Sequence, residues 1–267
     1  MTETQHPTTQ AGAASQSPFQ APKRRRIYLM RHGNVTYFDG SGKPILPETV
    51  PLNEEGRAQA DAAGQAFAAQ QVRFDKVIVS GLPRTVETAR RVLAQMRQAD
   101  ASLPDLAERM EIWPEWEELR GGKLAEIAPQ SLQSAFVGAF EGVVAEDKRF
   151  LNGESIGEFL DRVLPPVQRL REDKSWDIAL IVLHGGVNRA LLSHALTAGG
   201  RLFLGNLAQT PACINAIDMG EDPRDWVVRM VNYAPPAALH TGSRKTTMES
   251  LLEQYLQFRK DLRGMQQ

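Results

Sequence analysis

Ile27-Tyr28-Leu29-Met30-Arg31-His32-Gly33 is the stretch on which the reading of this chain turns. Four apolar residues follow a polar tail and end at a glycine, the pattern of a short buried strand that stops abruptly. In an α/β protein the residues just past the carboxyl end of a strand face the crevice where ligands bind. Arg31 and His32 therefore project there side by side, and the pair suits a phosphate. A guanidinium offers a planar fork of donors, an imidazole can donate or attack, and Gly33 lets the backbone come close.

A second strand has the same ending. Ile178-Ala179-Leu180-Ile181-Val182-Leu183 is the most continuous β-prone apolar run, and it delivers His184-Gly185-Gly186. Between the two lies a strand over Phe74–Val79, followed by Ser80-Gly81-Leu82-Pro83-Arg84-Thr85 and a helix over Val86–Met96. Pro83 fits a first helical turn, and Arg84 falls where backbone donors already favour an anion. Helices and strands alternate, with further strands near Ala212–Ile217 and Trp226–Val231. The pattern predicts a three-layer α/β/α sandwich with a largely parallel central sheet. Right-handed crossovers would bring Arg31, His32, Arg84 and His184 to one edge.

The rest of the chain is organised around that sheet. Residues 1–22 are rich in Thr, Gln, Ala, Ser and Pro and read as a disordered tail. Lys23-Arg24-Arg25-Arg26 reads as a solvated lead-in to the first strand. Residues 34–50 carry Gly40, Gly42, Pro44 and Pro47 and form a loop long enough to cover a site. Asn53 is placed to cap an alanine-rich helix, which Gly64 weakens slightly. Trp113-Pro114-Glu115-Trp116-Glu117-Glu118 offers either an acid on a loop or a solvated acidic turn, and residues 125–150 read as a partly helical cap. Ser155 and Glu158 have capping-box spacing, and Pro165-Pro166 should kink or divide the helix that follows. The catalytic body is expected over residues 23–235. Residues 236–267 form an extension with an amphipathic helix, which would either join a homodimer or cover the sheet.

Composition narrows the function classes. A formal charge of −1 with 24% charged residues gives no global argument for nucleic acid or for a membrane surface. No run of about 18 apolar residues is present, as a membrane span would need. Cys213 is the single cysteine, so no intrachain disulfide forms and a multi-cysteine zinc site is excluded. A reducing cytoplasm is the default expectation. The five histidines lack the close spacing of a helical metal site, and His194 reads as a packing residue.

Four motifs in order resemble the histidine phosphatase superfamily, whose members include phosphoglycerate mutases and many phosphomonoesterases. They are Leu29-Met30-Arg31-His32-Gly33, Ser80-x-Leu82-x-Arg84-Thr85-x-x-Thr88-Ala89, Gly153-Glu154-Ser155 and Val182-x-His184-Gly185-Gly186. The resemblance covers about residues 27–232. It implies that His32 is the nucleophile that becomes phosphorylated, while Arg31, Arg84, His184 and Asn34 hold the phosphoryl oxygens. It also implies that Glu118 is the proton donor, with Glu115 and Glu117 as rivals, since the register of that segment is open. Neither metal nor other cofactor is implied. Two arginines and a protonated His184 would neutralise the group in transfer, and like-charge repulsion from Glu115 and Glu117 would raise the pKa of Glu118.

The stretch Asn34-Val35-Thr36-Tyr37-Phe38 departs from the usual mutase pattern, and the interval from Glu118 to His184 is short for a mutase cap. The expected activity is hydrolysis of a small phosphorylated substrate, without nucleic acid or membrane partners. The alternatives are mutase-type transfer and a phosphate- or phosphoprotein-binding module that does not turn over.

Overall fold

The computed structural model describes residues 20–37 and 45–264. Nearly all of the expected tail, and the middle of the 34–50 loop with Gly40, Gly42, Pro44 and Phe38, lie outside the described residues. In chain order the elements are β1 (Arg24–Arg31), α1 (Glu54–Ala69), β2 (Lys76–Val79), α2 (Pro83–Ala99), β3 (Glu111–Ile112), α3 (Leu132–Val137), β4 (Val143–Val144), α4 (Ile156–Val163), α5 (Pro165–Glu172), β5 (Ile178–Leu183), α6 (Gly185–Leu196), β6 (Phe203–Leu204), β7 (Ile214–Gly220), β8 (Trp226–Tyr233) and α7 (Thr247–Gly264).

The central sheet has six strands in the order β3-β2-β5-β1-β7-β8. β3, β2, β5 and β1 pair in parallel, while β7 runs against both β1 and β8. The alternation of β5 sorts the core into two faces. Ala179, Ile181 and Leu183 pack with residues of α4, α5 and α6, and Leu180 and Val182 pack with residues of α1 and α2. A strand buried on both faces has to be apolar throughout, and that is why β5 reads as an unbroken run. The three-layer sandwich follows.

Local signals set the helix ends. Asn53 caps α1 by accepting from the Gly56 N–H, and Ser155 and Glu158 form a complete capping box on α4. Leu164 ends α4 and begins α5, so Pro165-Pro166 divides the helix. Gly64 does more than weaken α1. A Cβ there would lie 2.6 Å from the Val92 carbonyl oxygen, so its absence lets α1 and α2 approach closely.

The basic cluster is not a solvated lead-in. β1 begins at Arg24, and Arg24 pairs with Asp225 while Arg26 pairs with Asp218. Arg25 donates to the carbonyls of Asp173 and Arg171 and lies over the Trp176 ring. A charged strand end is tolerated because the β7–β8 hairpin, about 200 residues away in the chain, supplies the opposing charges. The amphipathic helix α7 packs against the segment before α4 rather than against the sheet. Met248, Leu251, Leu252 and Tyr255 pack with Ile127, Leu132 and Phe136 in a small core of their own, while Leu256 of the same stripe stays exposed. Among the described residues no helix is long and apolar enough to cross a membrane.

The loop after His32 is pressed onto α1 backbone to backbone. A Cβ on Gly33 would lie 2.3 Å from the Gly56 carbonyl oxygen, and one on Gly56 would lie 2.1 Å from that of Asn34. The Asn53 N–H also donates to the Asn34 carbonyl at 3.1 Å. Gly56→Ala gains up to about 1 kcal/mol of helix propensity but forces two backbones apart, at about 1–3 kcal/mol. A net loss of stability in denaturant titration is expected, with weakened phosphate binding because the His32 loop must shift. A more stable variant would show that the contact gives way freely.

Candidate active site

Strand register builds the site. Arg31 is paired with Leu183 across β1 and β5, so His32 and His184 each stand one residue past the end of adjacent parallel strands. The His32 N–H donates to the Leu183 carbonyl at 2.9 Å, and the two imidazole centroids lie 5.3 Å apart. β2 is in register on the other side of β5, with Val79 opposite Val182. Ser80 therefore lies level with the end of β5, and α2 starts close by with Arg84 in its first turn. The structure thus brings Arg31, His32, Arg84 and His184 together, at relative exposures of 7, 2, 2 and 0%.

Hydrogen bonding assigns the ring protons. His32 Nδ1 lies 2.7 Å from the Gly33 carbonyl, which can only accept, so Nδ1 carries the proton and Nε2 the lone pair. Burial first, then the charges of Arg84 and Arg31, hold the His32 pKa well below the ordinary value and keep the ring neutral. His184 Nε2 lies 2.8 Å from Ser80 Oγ, which lies 3.1 Å from Thr85 Oγ1, and the Thr85 hydroxyl donates to the Leu82 carbonyl. The relay runs outward from His184, so Nε2 is the donor and Nδ1 is left buried without a partner. Burial, then Arg84, His32 and Arg31, hold its pKa well below the ordinary value too. Burial, together with the neighbouring arginines, therefore disfavours the expected protonated His184 in the free site.

The arginines are held by carbonyls rather than by carboxylates. Arg31 Nη1 donates to the Gln209 carbonyl at 2.5 Å and to Thr247 Oγ1 at 3.0 Å, and Arg84 Nη1 donates to the Pro47 carbonyl at 2.5 Å. The Nε atoms of both are buried and without a partner. A third arginine, Arg189 on α6, lies beside Arg31 at Gly185 with its guanidinium 5.0 Å from the Phe140 ring centroid. Burial pushes its pKa down to about 10. Such a pocket favours a compact dianion with several acceptor oxygens.

Among the three glutamates, only Glu118 turns toward the histidines. Its carboxylate accepts from the Gly186 N–H at 3.0 and 3.1 Å, two residues past His184, and from its own neighbour Leu119. Glu115 is taken by Arg169, which holds its carboxyl below the usual carboxylate range, and the carboxylate of Glu117 lies 3.5 Å from Arg120. The expected repulsive cluster of acids is therefore absent. Asn34 is not brought into the cluster either. Its amide donates to Glu55 at 2.6 Å while its carbonyl oxygen accepts from the Val35 N–H, so its side-chain hydrogen bonds go to α1 and its own loop.

Several positioning residues gave little or no signal in the sequence. Arg162 of α4 donates to the carbonyls of Glu115, Glu117 and Glu118 and is neutralised by Glu154 at 2.8 Å. The Gly153-Glu154-Ser155 motif pointed to the place but not to this task. Gln209 is buried in an amide network with Asn188 and Asn215, and Asn215 also donates to the Leu29 carbonyl. Nothing in the sequence around Gln209 marks it. Among the described residues, no group of three or more His, Cys, Asp or Glu side chains is arranged to hold a metal ion.

The family model described as "Histidine phosphatase superfamily (branch 1)" matches residues 27–233. The chain is 29% identical over 196 residues to the adenosylcobalamin/alpha-ribazole phosphatase of Salmonella typhimurium, covering 73% of this chain and 91% of that protein. It is 27% identical over 175 residues to a 6-phosphofructo-2-kinase/fructose-2,6-bisphosphatase of Gallus gallus, covering 64% of this chain but only 33% of that longer protein. Among solved structures, the alpha-ribazole phosphatase of Shigella flexneri superposes with a TM-score of 0.55 at 26% identity, covering 78% of this chain and 96% of that one.

The two depressed histidines make stability depend on pH. Unfolding returns each ring to the ordinary value of about 6.5, so below that pH the unfolded chain binds protons that the folded chain does not. Stability falls on acidification, by up to about 1.4 kcal/mol per pH unit for each ring. In phosphate-free buffer between pH 7 and 5, the double variant His32→Asn/His184→Asn should lose up to two protons' worth of that slope. His194, also lowered by burial, keeps its smaller share in both proteins. An unchanged slope would show that the rings are not held neutral.

Proposed function

Because the chain belongs to the histidine phosphatase superfamily, a family of phosphoryl-transfer enzymes, we propose that it is a metal-independent phosphomonoesterase acting through a phosphohistidine on His32. The observation that carries this reading is the His32 Nδ1–H bond to the Gly33 carbonyl, which leaves a neutral Nε2 as nucleophile between two arginines. A monoester dianion repels an incoming lone pair. Arg31 and Arg84, each with an unpartnered Nε, offset that charge in a buried pocket where such interactions are strongest.

Nε2 attacks phosphorus in line. The N–P bond forms as the P–O bond to the leaving group breaks, and the Glu118 carboxyl gives its proton to the departing oxygen. In the second step the Glu118 carboxylate takes a proton from water, the resulting hydroxide attacks phosphorus, the N–P bond breaks, and inorganic phosphate leaves with His32 regenerated. The dianion offsets the positive charge packed around His184. Protonation of its free Nδ1 is then favoured, which makes His184 a second donor to the phosphoryl oxygens.

Hydrolysis rather than mutase transfer is supported by the sequence after Gly33, by the short interval between Glu118 and His184, and by the extent of likeness to the Salmonella phosphatase. The substrate class is a small phosphate monoester. The esters handled by phosphatases of that relative's name are the first to screen.

The test is hydrolysis of an aryl phosphate in chelator. His32→Ala should abolish turnover. Glu118→Gln should lower kcat by roughly 10²–10⁴-fold while inorganic phosphate still binds. Wild-type activity that survives in His32→Ala would sink the phosphohistidine reading, stimulation of isomerisation by bisphosphoglycerate would favour a mutase, and phosphate binding without hydrolysis would favour a binding module.

A further inference from the structure

The family match ends at residue 233, yet one residue that holds Arg31 comes from beyond it. α7 opens with a capping box of its own. The Thr246 N–H donates to Glu249 Oε2 at 2.6 Å, and the Glu249 N–H donates to Thr246 Oγ1 at 3.2 Å. This fixes the first turn of an 18-residue helix and sets Thr247 on its inner side. There Thr247 Oγ1 accepts from Arg31 Nη1 at 3.0 Å, while the Gln209 carbonyl accepts from the same nitrogen. The second contact belongs to the main body, the first to the extension. Both contacts fall on Nη1, and the Nε of the same guanidinium is buried without a partner.

The helix is held in place by a core separate from those flanking the sheet. Phe136 and Tyr255 stack at 5.8 Å, with Leu251, Leu252 and Met248 around them, against Ile127 and Leu132 of the segment between Glu118 and α4. So small an apolar unit is where local opening costs least. The guanidinium of a buried phosphate ligand is thus steadied by an element that can leave without unfolding the sheet.

We infer that the carboxy-terminal helix is a strap that completes the phosphate site, with Thr247 as the positioning residue that orients Arg31. The inference rests on the reading of Arg31 as a phosphate ligand given above. Without Thr247 the fork of Arg31 has one fixed anchor and can rotate about it, so phosphate affinity falls while the attacking nitrogen and the acid are untouched. With α7 undocked the same loss follows.

The experiment uses the full chain and inorganic phosphate as probe, by calorimetric titration, with aryl phosphate kinetics alongside. Thr247→Val keeps the shape and removes the acceptor. It should weaken phosphate binding roughly tenfold and raise KM similarly, with kcat much less affected and the melting midpoint retained. Thr247→Ser should restore both. Tyr255→Ala, which removes the stack on Phe136, should reproduce the loss of phosphate affinity.

Phosphate binding by Thr247→Val equal to wild type would overturn the inference. A Tyr255→Ala chain with wild-type affinity would overturn the part given to the docked helix. Thr247-dependent phosphate binding without turnover of any ester would remove the phosphatase reading and leave the strap standing. No phosphate binding by the wild type would overturn both.

Discussion

Everything at the site depends on the parallel pairing of β1 with β5. Because the Cα of Arg31 is matched to that of Leu183, two strand ends place two histidines one residue beyond the same edge. A slip of one residue would turn each side chain to the opposite face and take one histidine away from the shared edge. The main chain locks the register past the strands as well, since the His32 N–H still finds the Leu183 carbonyl. Gly33 then allows the chain to cross α1 at a distance that no side chain would permit.

The cost of that placement is electrostatic. Three arginines and two imidazoles share a buried region in which Glu118 is the nearest acid, and it is occupied by backbone N–H groups. A carboxylate partner for Arg31 or Arg84 would stabilise the free protein but would repel the anion and have to be displaced by it. Carbonyl oxygens resolve the conflict. They accept from one nitrogen, hold the fork in place, and leave most of the positive charge uncompensated. The amides of Asn188, Gln209 and Asn215 carry the same logic one layer back, bonding to one another without adding charge, and Asn215 ties the group to β1 at Leu29. The buried side-chain atoms without a partner include the Arg31, Arg84 and Arg189 Nε atoms and His184 Nδ1 of this cluster, with Arg171 Nε and Asn188 Oδ1 outside it.

The sequence disclosed what is local or periodic. β1 and β5 were legible as apolar runs, Asn53 and the Ser155–Glu158 box as caps, and Arg84 as a first-turn residue after Pro83, because each is decided by neighbours a few positions away. The residues that misled are decided by partners far along the chain. Arg24 and Arg26 look like a solvated cluster until Asp225 and Asp218 fold against them. Asn34 looks like a free amide beside the histidine until Glu55 captures it. Protonation of His184 could not be read from a list of residues, since it depends on how deeply the ring is buried and on the charges packed around it.

The register of the acidic loop shows the same limit and how the fold overcomes it. Glu115, Glu117 and Glu118 are equivalent as letters, and only the family resemblance favours Glu118 among them. Arg162 decides among them by binding carbonyls rather than carboxylates, so the backbone is fixed first and only one side chain is left facing α6. Its own charge is answered by Glu154, a pair with relative side-chain exposures of only 15 and 10%. Removing one partner of such a pair leaves the other charged and desolvated, at about 3–5 kcal/mol. Glu154 also accepts from the Arg120 N–H, at the far end of the same loop. A glutamate that would otherwise read as part of a helix start thus holds the acidic loop at both ends, and the position of Glu118 follows from a residue that never touches it.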